Sequence, residues 1–180
     1  MNTSIKEFMP FFKRLTVQDF NSITYAMIKP DSTSAKEEMF RDIQEKGFEI
    51  LFARDYQLSD QLAADFYSEH GPREDQPAKS FYPELCRQMT AGPVVVMILR
   101  KLRKSEDEPL AYTQWREAIG ATNPAKAAKG SLRYKYTQVL FGGPEQYAEG
   151  KATNCFHGAD SVASVIRESN LVLYDMYEAA

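Results

Sequence analysis

Histidine and cysteine are scarce in this chain, with two of each among 180 residues. No CxxC pair, HExxH motif or His-rich tract occurs, which leaves little for a structural metal site. Two cysteines also exclude the dense disulfide framework of a small secreted domain. Long apolar runs are missing as well. The longest, Pro93 to Leu99, is far too short to span a bilayer. The N-terminal stretch Phe8, Met9, Pro10, Phe11, Phe12 is broken by proline and followed by Lys13 and Arg14, with no small-residue cleavage site. A reducing, cytoplasmic setting with no membrane association is the expectation. An excess of positive charge is absent too: 22 Lys and Arg against 25 Asp and Glu leave a net charge of −3. That excludes a globally basic nucleic-acid binder, so nucleic acid is not an expected partner and any anion site must be a local cluster. The nine glycines never form GxxxxGKS/T or GxGxxG, and no GxSxG elbow appears. A phosphate site in this chain has to be built largely from side chains.

What is present suits one domain with a real core, since 43% of the residues are hydrophobic. Ile23 to Ile28 is a short apolar run stopped by Lys29-Pro30-Asp31, which predicts a strand ending in a turn. Ser34-Ala35-Lys36-Glu37 has the spacing of a capping box; Met39, Phe40 and Ile43 follow at helical spacing, and Gly47 closes that helix. Phe48 to Leu58 is rich in β-formers and reads as a second strand. Ser59 opens a helix through about Glu69, and a loop over 71–79 precedes a short helix from Phe81 to Met89. Gly92-Pro93 leads into a strand from Val94 to Arg100, then a charged turn from Lys101 to Glu108. Pro109 suits the first turn of a helix running to about Ile119.

Ala121 to Arg133 reads as irregular, and Phe141 to Thr153, with Gly142-Gly143-Pro144, as a second long loop. A helix from about Asp160 to Ser169 and a final extended piece from Leu171 to Tyr174 complete one α+β domain with a small sheet. The aromatic patch of Phe8, Phe11 and Phe12 could meet a membrane or a partner subunit; docking on the protein's own surface is the expectation.

Two stretches carry candidate chemistry. Asn123 to Gln138 holds Lys126, Lys129, Arg133 and Lys135 and no acidic residue, which is either a local anion site or a solvated basic loop. Asn154 to Ser161 places His157 at a strand-to-helix junction. A neutral imidazole is nucleophilic and titrates near physiological pH, which suits it to accept and release a phosphoryl group. Residues three apart on a regular strand point to opposite faces, so Asn154 and His157 share a site only if the segment turns or bulges. His70, before Gly71-Pro72, reads as a surface residue near a helix C-terminus.

Five segments occur in one order: Ile28-Lys29-Pro30-Asp31, Ser80-Phe81-Tyr82-Pro83, Ala91-Gly92-Pro93-Val94-Val95, Gly120-Ala121-Thr122-Asn123-Pro124 and Asn154-Cys155-Phe156-His157-Gly158-Ala159-Asp160-Ser161. Together they resemble the nucleoside diphosphate kinase family, from about Ser22 to Tyr174. The resemblance makes residues 1–21 an N-terminal extension and 22–180 the domain, with insertions near 70–79, 101–108 and 139–153. It implies a ferredoxin-like α+β fold with a four-stranded antiparallel sheet. It also implies Mg²⁺-dependent, ping-pong transfer of the terminal phosphate of a nucleoside triphosphate to a nucleoside diphosphate through a phosphohistidine.

By matching position, His157 would be the nucleophile, Glu168 would hydrogen-bond its imidazole, and Lys29 would assist. Lys29, Tyr67, Arg116, Thr122, Arg133 and Asn154 would surround the phosphates and ribose, while Phe81 would stack on the base with Leu85 beside it. Mg²⁺ would be held mainly by the nucleotide phosphates. Such a site needs a nucleophile, in-line positioning and cations to spread charge, and stacking on Phe81 would accept any base.

The chain also departs from the family. Ala159 stands where the family has a serine whose hydroxyl would help hold Glu168, so slower phosphorylation is expected. Ser32 and Ala35 replace a glycine and an arginine tied to family subunit contacts, and the chain ends soon after Tyr174. A homo-oligomer nonetheless remains the expectation. A second reading is a nucleotide-binding regulatory or interaction protein on the same fold with weakened catalysis. Retention of Lys29, Arg116, Arg133, Asn154, His157 and Glu168 favours the enzyme.

Overall fold

The computed structural model describes residues 3–180; Met1 and Asn2 of the expected extension lie outside the described residues. Four strands, β1 (Ile23–Ile28), β2 (Glu49–Tyr56), β3 (Val94–Arg100) and β4 (Phe156–Gly158), form one sheet in the order β2-β3-β1-β4, with every neighbouring pair antiparallel. This is the ferredoxin-like arrangement. Side chains of β1 and β3 are buried along almost their whole length, which is why both read as unbroken apolar runs rather than alternating ones. β2 lies at an edge and mixes buried with exposed positions.

Each sheet face has its own cluster. Tyr25, Met27, Phe52, Val96 and Ile98 meet α1 (Ile5–Phe12), α3 (Asp60–Phe66) and α8 (Val162–Glu178). Ala26, Ile28, Val95, Met97 and Leu99 meet α2 (Lys36–Glu45), α5 (Ala111–Ile119) and α6 (Leu132–Phe141). α4 (Tyr82–Thr90) and the short α7 (Glu145–Ala148) stand beside the sheet end that carries Lys29 and His157.

The N-terminal aromatics are part of this core. Ser4 and Glu7 form a reciprocal capping box at the start of α1. Phe8 and Phe12 are buried, and the Phe8 ring stacks on Phe52 at 4.7 Å.

Several boundaries differ from the sequence reading. Ser34 does not cap α2: Pro30 starts a 3₁₀ stretch through Ala35, Thr33 bonds back to the Pro30 carbonyl at 2.9 Å, and Ala35 occupies the N-cap without a side-chain bond. Pro109 precedes α5 rather than opening it, since Leu110 is the N-cap. α3 stops at Phe66, and Ser68–His70 form a separate 3₁₀ turn. The expected irregular stretch ends early because α6 begins at Leu132, and α7 forms inside the expected loop over 141–153. Leu171 to Tyr174 is not extended. It continues α8, where Val165, Ser169, Val172, Leu173 and Met176 fall on one buried face.

Candidate active site

β1 leads directly into Lys29, whose backbone N–H donates to the Cys155 carbonyl at 2.8 Å, and this joins the strand end to the His157 segment. Cys155 has φ of +66°, the left-handed region that a non-glycine residue rarely enters. That turn answers the parity problem. It breaks the strand alternation between Asn154 and Phe156, so Asn154 and His157 face one cleft of about 770 Å³.

Arg133 holds the turn in place. Its guanidinium donates to the carbonyls of Gly120 (2.7 Å), Phe156 (2.8 Å) and Asn154 (3.2 Å). It is buried, and desolvation together with Arg116 pushes it down to about 10, so it stays a cation at neutral pH. Lys29 is pushed down to about 8, chiefly by burial and then by the charge of Arg133. Asn154 donates from Nδ2 to the Thr122 carbonyl at 3.0 Å, while its Oδ1 is buried without a partner among the described residues. Such an acceptor in a polar cleft is one a hydroxyl-bearing ligand would satisfy.

His157 and Glu168 meet at 2.8 Å through Nε2 and Oε2, with the carboxyl group buried on α8. The imidazole is walled by Phe66 (ring centroids 5.0 Å), Tyr67 (6.0 Å) and Tyr25 (6.2 Å). Trp115 Nε1 donates to the His157 carbonyl at 3.3 Å, and Arg116 Nη1 to the Gly158 carbonyl at 3.2 Å. Tyr67 is held well above the ordinary phenol range by burial and then by the Glu168 charge, so its hydroxyl keeps its proton.

All ten residues assigned from the resemblance line this one cleft: Lys29, Tyr67, Phe81, Leu85, Arg116, Thr122, Arg133, Asn154, His157 and Glu168. Phe81 is 52% exposed, so its ring is available for stacking. The basic stretch divides. Arg133 faces the cleft, Lys135 pairs away from it with Glu38 (2.8 Å) and Asp42 (2.7 Å), and Lys126 and Lys129 are solvated.

His70, expected at the surface near a helix C-terminus, ends the Ser68–His70 turn with its side chain 34% exposed; it also lines the cleft and stands edge-on to Phe81 at 5.2 Å. The loop after it folds back, with the Lys79 N–H bonding the His70 carbonyl at 2.8 Å. Tyr147 and Ala148 of α7, with Gly150 and Ala152, also line the cleft. The length of the segment over 139–153 was the only sequence signal for them.

The cations Lys29, Arg116 and Arg133 line the cleft together with Asn154, His157 and Asp160. That set suits an oxyanion, and a divalent cation fits it only in company with phosphates.

The nucleoside diphosphate kinase family profile matches residues 22–176. A nucleoside diphosphate kinase of Histophilus somni is 32% identical over 147 residues, covering 81% of this chain and 87% of that protein. One from Oleidesulfovibrio alaskensis is 33% identical over 147 residues, covering 81% and 88%. The solved structure of a halophilic nucleoside diphosphate kinase from Halobacterium salinarum, in complex with CDP, superposes with a TM-score of 0.61 at 26% identity, covering 83% of this chain and 85% of that one. The chain therefore belongs to the nucleoside diphosphate kinase family and is a phosphotransferase of that family.

Proposed function

We propose that the chain moves the terminal phosphate of a nucleoside triphosphate to a nucleoside diphosphate in two half-reactions through a phosphohistidine at His157. The observation that carries this is the 2.8 Å contact between His157 Nε2 and Glu168 Oε2. With Nε2–H donated to the carboxylate, the lone pair lies on Nδ1. In the first half-reaction Nδ1 attacks the terminal phosphorus, the bond from that phosphorus to the bridging oxygen breaks, and the diphosphate leaves with the electron pair. A second diphosphate reverses the step. Lys29, Arg116 and Arg133 would spread the charge on the transferring group, with Tyr67 in the cleft wall beside His157. Mg²⁺ would enter with the nucleotide, held mainly by its phosphates, and would neutralise their charge.

The buried Asn154 Oδ1 would accept from a ribose hydroxyl. Phe81 and Leu85 would take the base by stacking, and the segment over 139–153 would form the opposite wall. With every cation of the cleft in place, the reading as a non-catalytic nucleotide-binding protein is not favoured. Incubation with γ-labelled ATP is expected to leave acid-labile, base-stable label on the protein that a nucleoside diphosphate then removes; an unlabelled protein would overturn the proposal.

A pH dependence follows from Lys29. A lysine whose folded value is lowered to about 8 is charged below that pH and increasingly neutral above it. Bound phosphates favour the charged form, so nucleotide binding takes up a proton above pH 8 and weakens as pH rises, by at most about tenfold per unit for one proton. For folding alone the sign is opposite: the unfolded chain holds this proton up to 10.5, so this group's penalty is relieved between about 8 and 10.5. Calorimetric titration of a diphosphate from pH 7 to 9.5 should show the decline in the wild type. In Lys29→Met binding should be weaker and flatter with pH.

A further inference from the structure

Glu168 is buried, and only one of its oxygens is occupied by His157. Three buried hydroxyl groups lie on neighbouring elements and on its own helix: Tyr25 on β1 and Tyr67 after α3, both near enough to feel the Glu168 charge, and Ser169, next to it in the chain. None of these has a hydrogen-bond partner among the described residues, so none holds the carboxyl group. Ala159, buried at the end of the His157 segment, brings no hydroxyl either. A carboxyl group held by one oxygen can rotate about its terminal torsion, and that torsion is soft.

Among the described residues, the other polar contact of the carboxyl group is Arg167. Its Nη2 lies 3.6 Å from Glu168 Oε1, and its Nη1 donates to the Phe66 carbonyl, the last of α3, at 3.2 Å. The same guanidinium stands 6.0 Å from the Phe66 ring centroid, and Phe66 is the ring nearest to the imidazole, at 5.0 Å. One planar group thus touches both objects that fix the His157 ring: its carboxylate partner and the helix end that supplies its aromatic wall. The contact to Glu168 is an ion pair and the one to Phe66 a hydrogen bond, so the backbone tie holds the positive charge at one place beside the carboxylate.

Resting on the phosphohistidine reading, we infer that Arg167 is a positioning residue for phosphoryl transfer, locking Glu168 so that His157 keeps its proton on Nε2 and its lone pair on Nδ1. Arg167 does not line the cleft, so its loss should change the chemistry and leave nucleotide binding alone.

The test compares wild type, Arg167→Gln and Arg167→Lys by single-turnover self-phosphorylation with labelled ATP, diphosphate affinity, melting temperature, and ¹⁵N spectra of histidine-labelled protein. The chain has only two histidines, so the His157 nitrogens can be assigned by difference against a His70 variant. For Arg167→Gln we expect self-phosphorylation about tenfold slower, since outer partners of a reacting group are typically worth one to two orders of magnitude. Affinity should be unchanged, and the ¹⁵N signature should move from the Nε2–H tautomer toward a mixture. Arg167→Lys should fall between the two. An unchanged rate and tautomer in Arg167→Gln would overturn the inference, and so would a loss that tracks weaker nucleotide binding or a lower melting temperature. A wild type that takes no label would instead overturn the phosphohistidine reading itself.

Discussion

His157→Ala is expected to take up no label from γ-labelled ATP and to lose turnover by at least about 10⁴-fold, the scale seen when a covalent nucleophile is removed and only binding remains. Nothing else in the cleft can take its place. His70 stands at the Phe81 end, edge-on to that ring at 5.2 Å, and Lys29 is a charged amine at neutral pH. Diphosphate binding should survive, because Lys29, Arg116, Arg133 and Phe81 are each held by contacts that do not pass through the imidazole. Alanine leaves the buried Glu168 without its 2.8 Å partner, at a cost of about 1–3 kcal/mol. His157→Gln, which can return a donor to Glu168, therefore serves as the better-folded companion. Both variants should bind a diphosphate and remain unlabelled. Label that persists in either one would show that another group is phosphorylated.

Much of this site was legible in the sequence because its pieces are short and ordered. Lys29-Pro30-Asp31 closes a strand, Gly120-Ala121-Thr122-Asn123-Pro124 follows a helix, and Asn154 to Ser161 carries the histidine. β1 and β3 were legible for a simpler reason: both faces are buried, so the apolar run is unbroken. α6 was not, because its buried face is Leu132, Arg133, Tyr136 and Thr137, and a cation bound to three carbonyls breaks the apolar period. The second half of α8 was hidden because Leu171 to Tyr174 looks like a strand on its own. Only continuation of the helix brings Val172, Leu173 and Met176 into line with Val165. The place of His70 beside Phe81 at the cleft and the positive φ of Cys155 have no local signature at all. The first depends on a loop folding back, the second on an arginine far along the chain.

That arginine is the subject of the second large effect. Arg133→Ala is expected to lower stability by about 3 kcal/mol or more and to reduce turnover severely, whereas His157→Ala separates chemistry from fold. The guanidinium is buried and reaches three carbonyls at 2.7, 2.8 and 3.2 Å: Gly120 at the end of α5, then Phe156 and Asn154 on either side of the Cys155 turn. Each charge-assisted bond contributes more than a neutral one, and each carbonyl left dry costs about 1–3 kcal/mol, less where cleft water can reach it. The turn strained at φ +66° then loses the group that holds it, so Asn154 and His157 are free to return to opposite faces. For a chain of this size the loss corresponds to a melting temperature lower by roughly 6–12 °C. Arg133→Lys keeps a charge near the phosphates but cannot serve three acceptors, so it should restore part of the binding and little of the stability. The measurement is a melting curve with and without diphosphate. A melting temperature for Arg133→Ala equal to that of the wild type would show that the Cys155 turn stands without its tie.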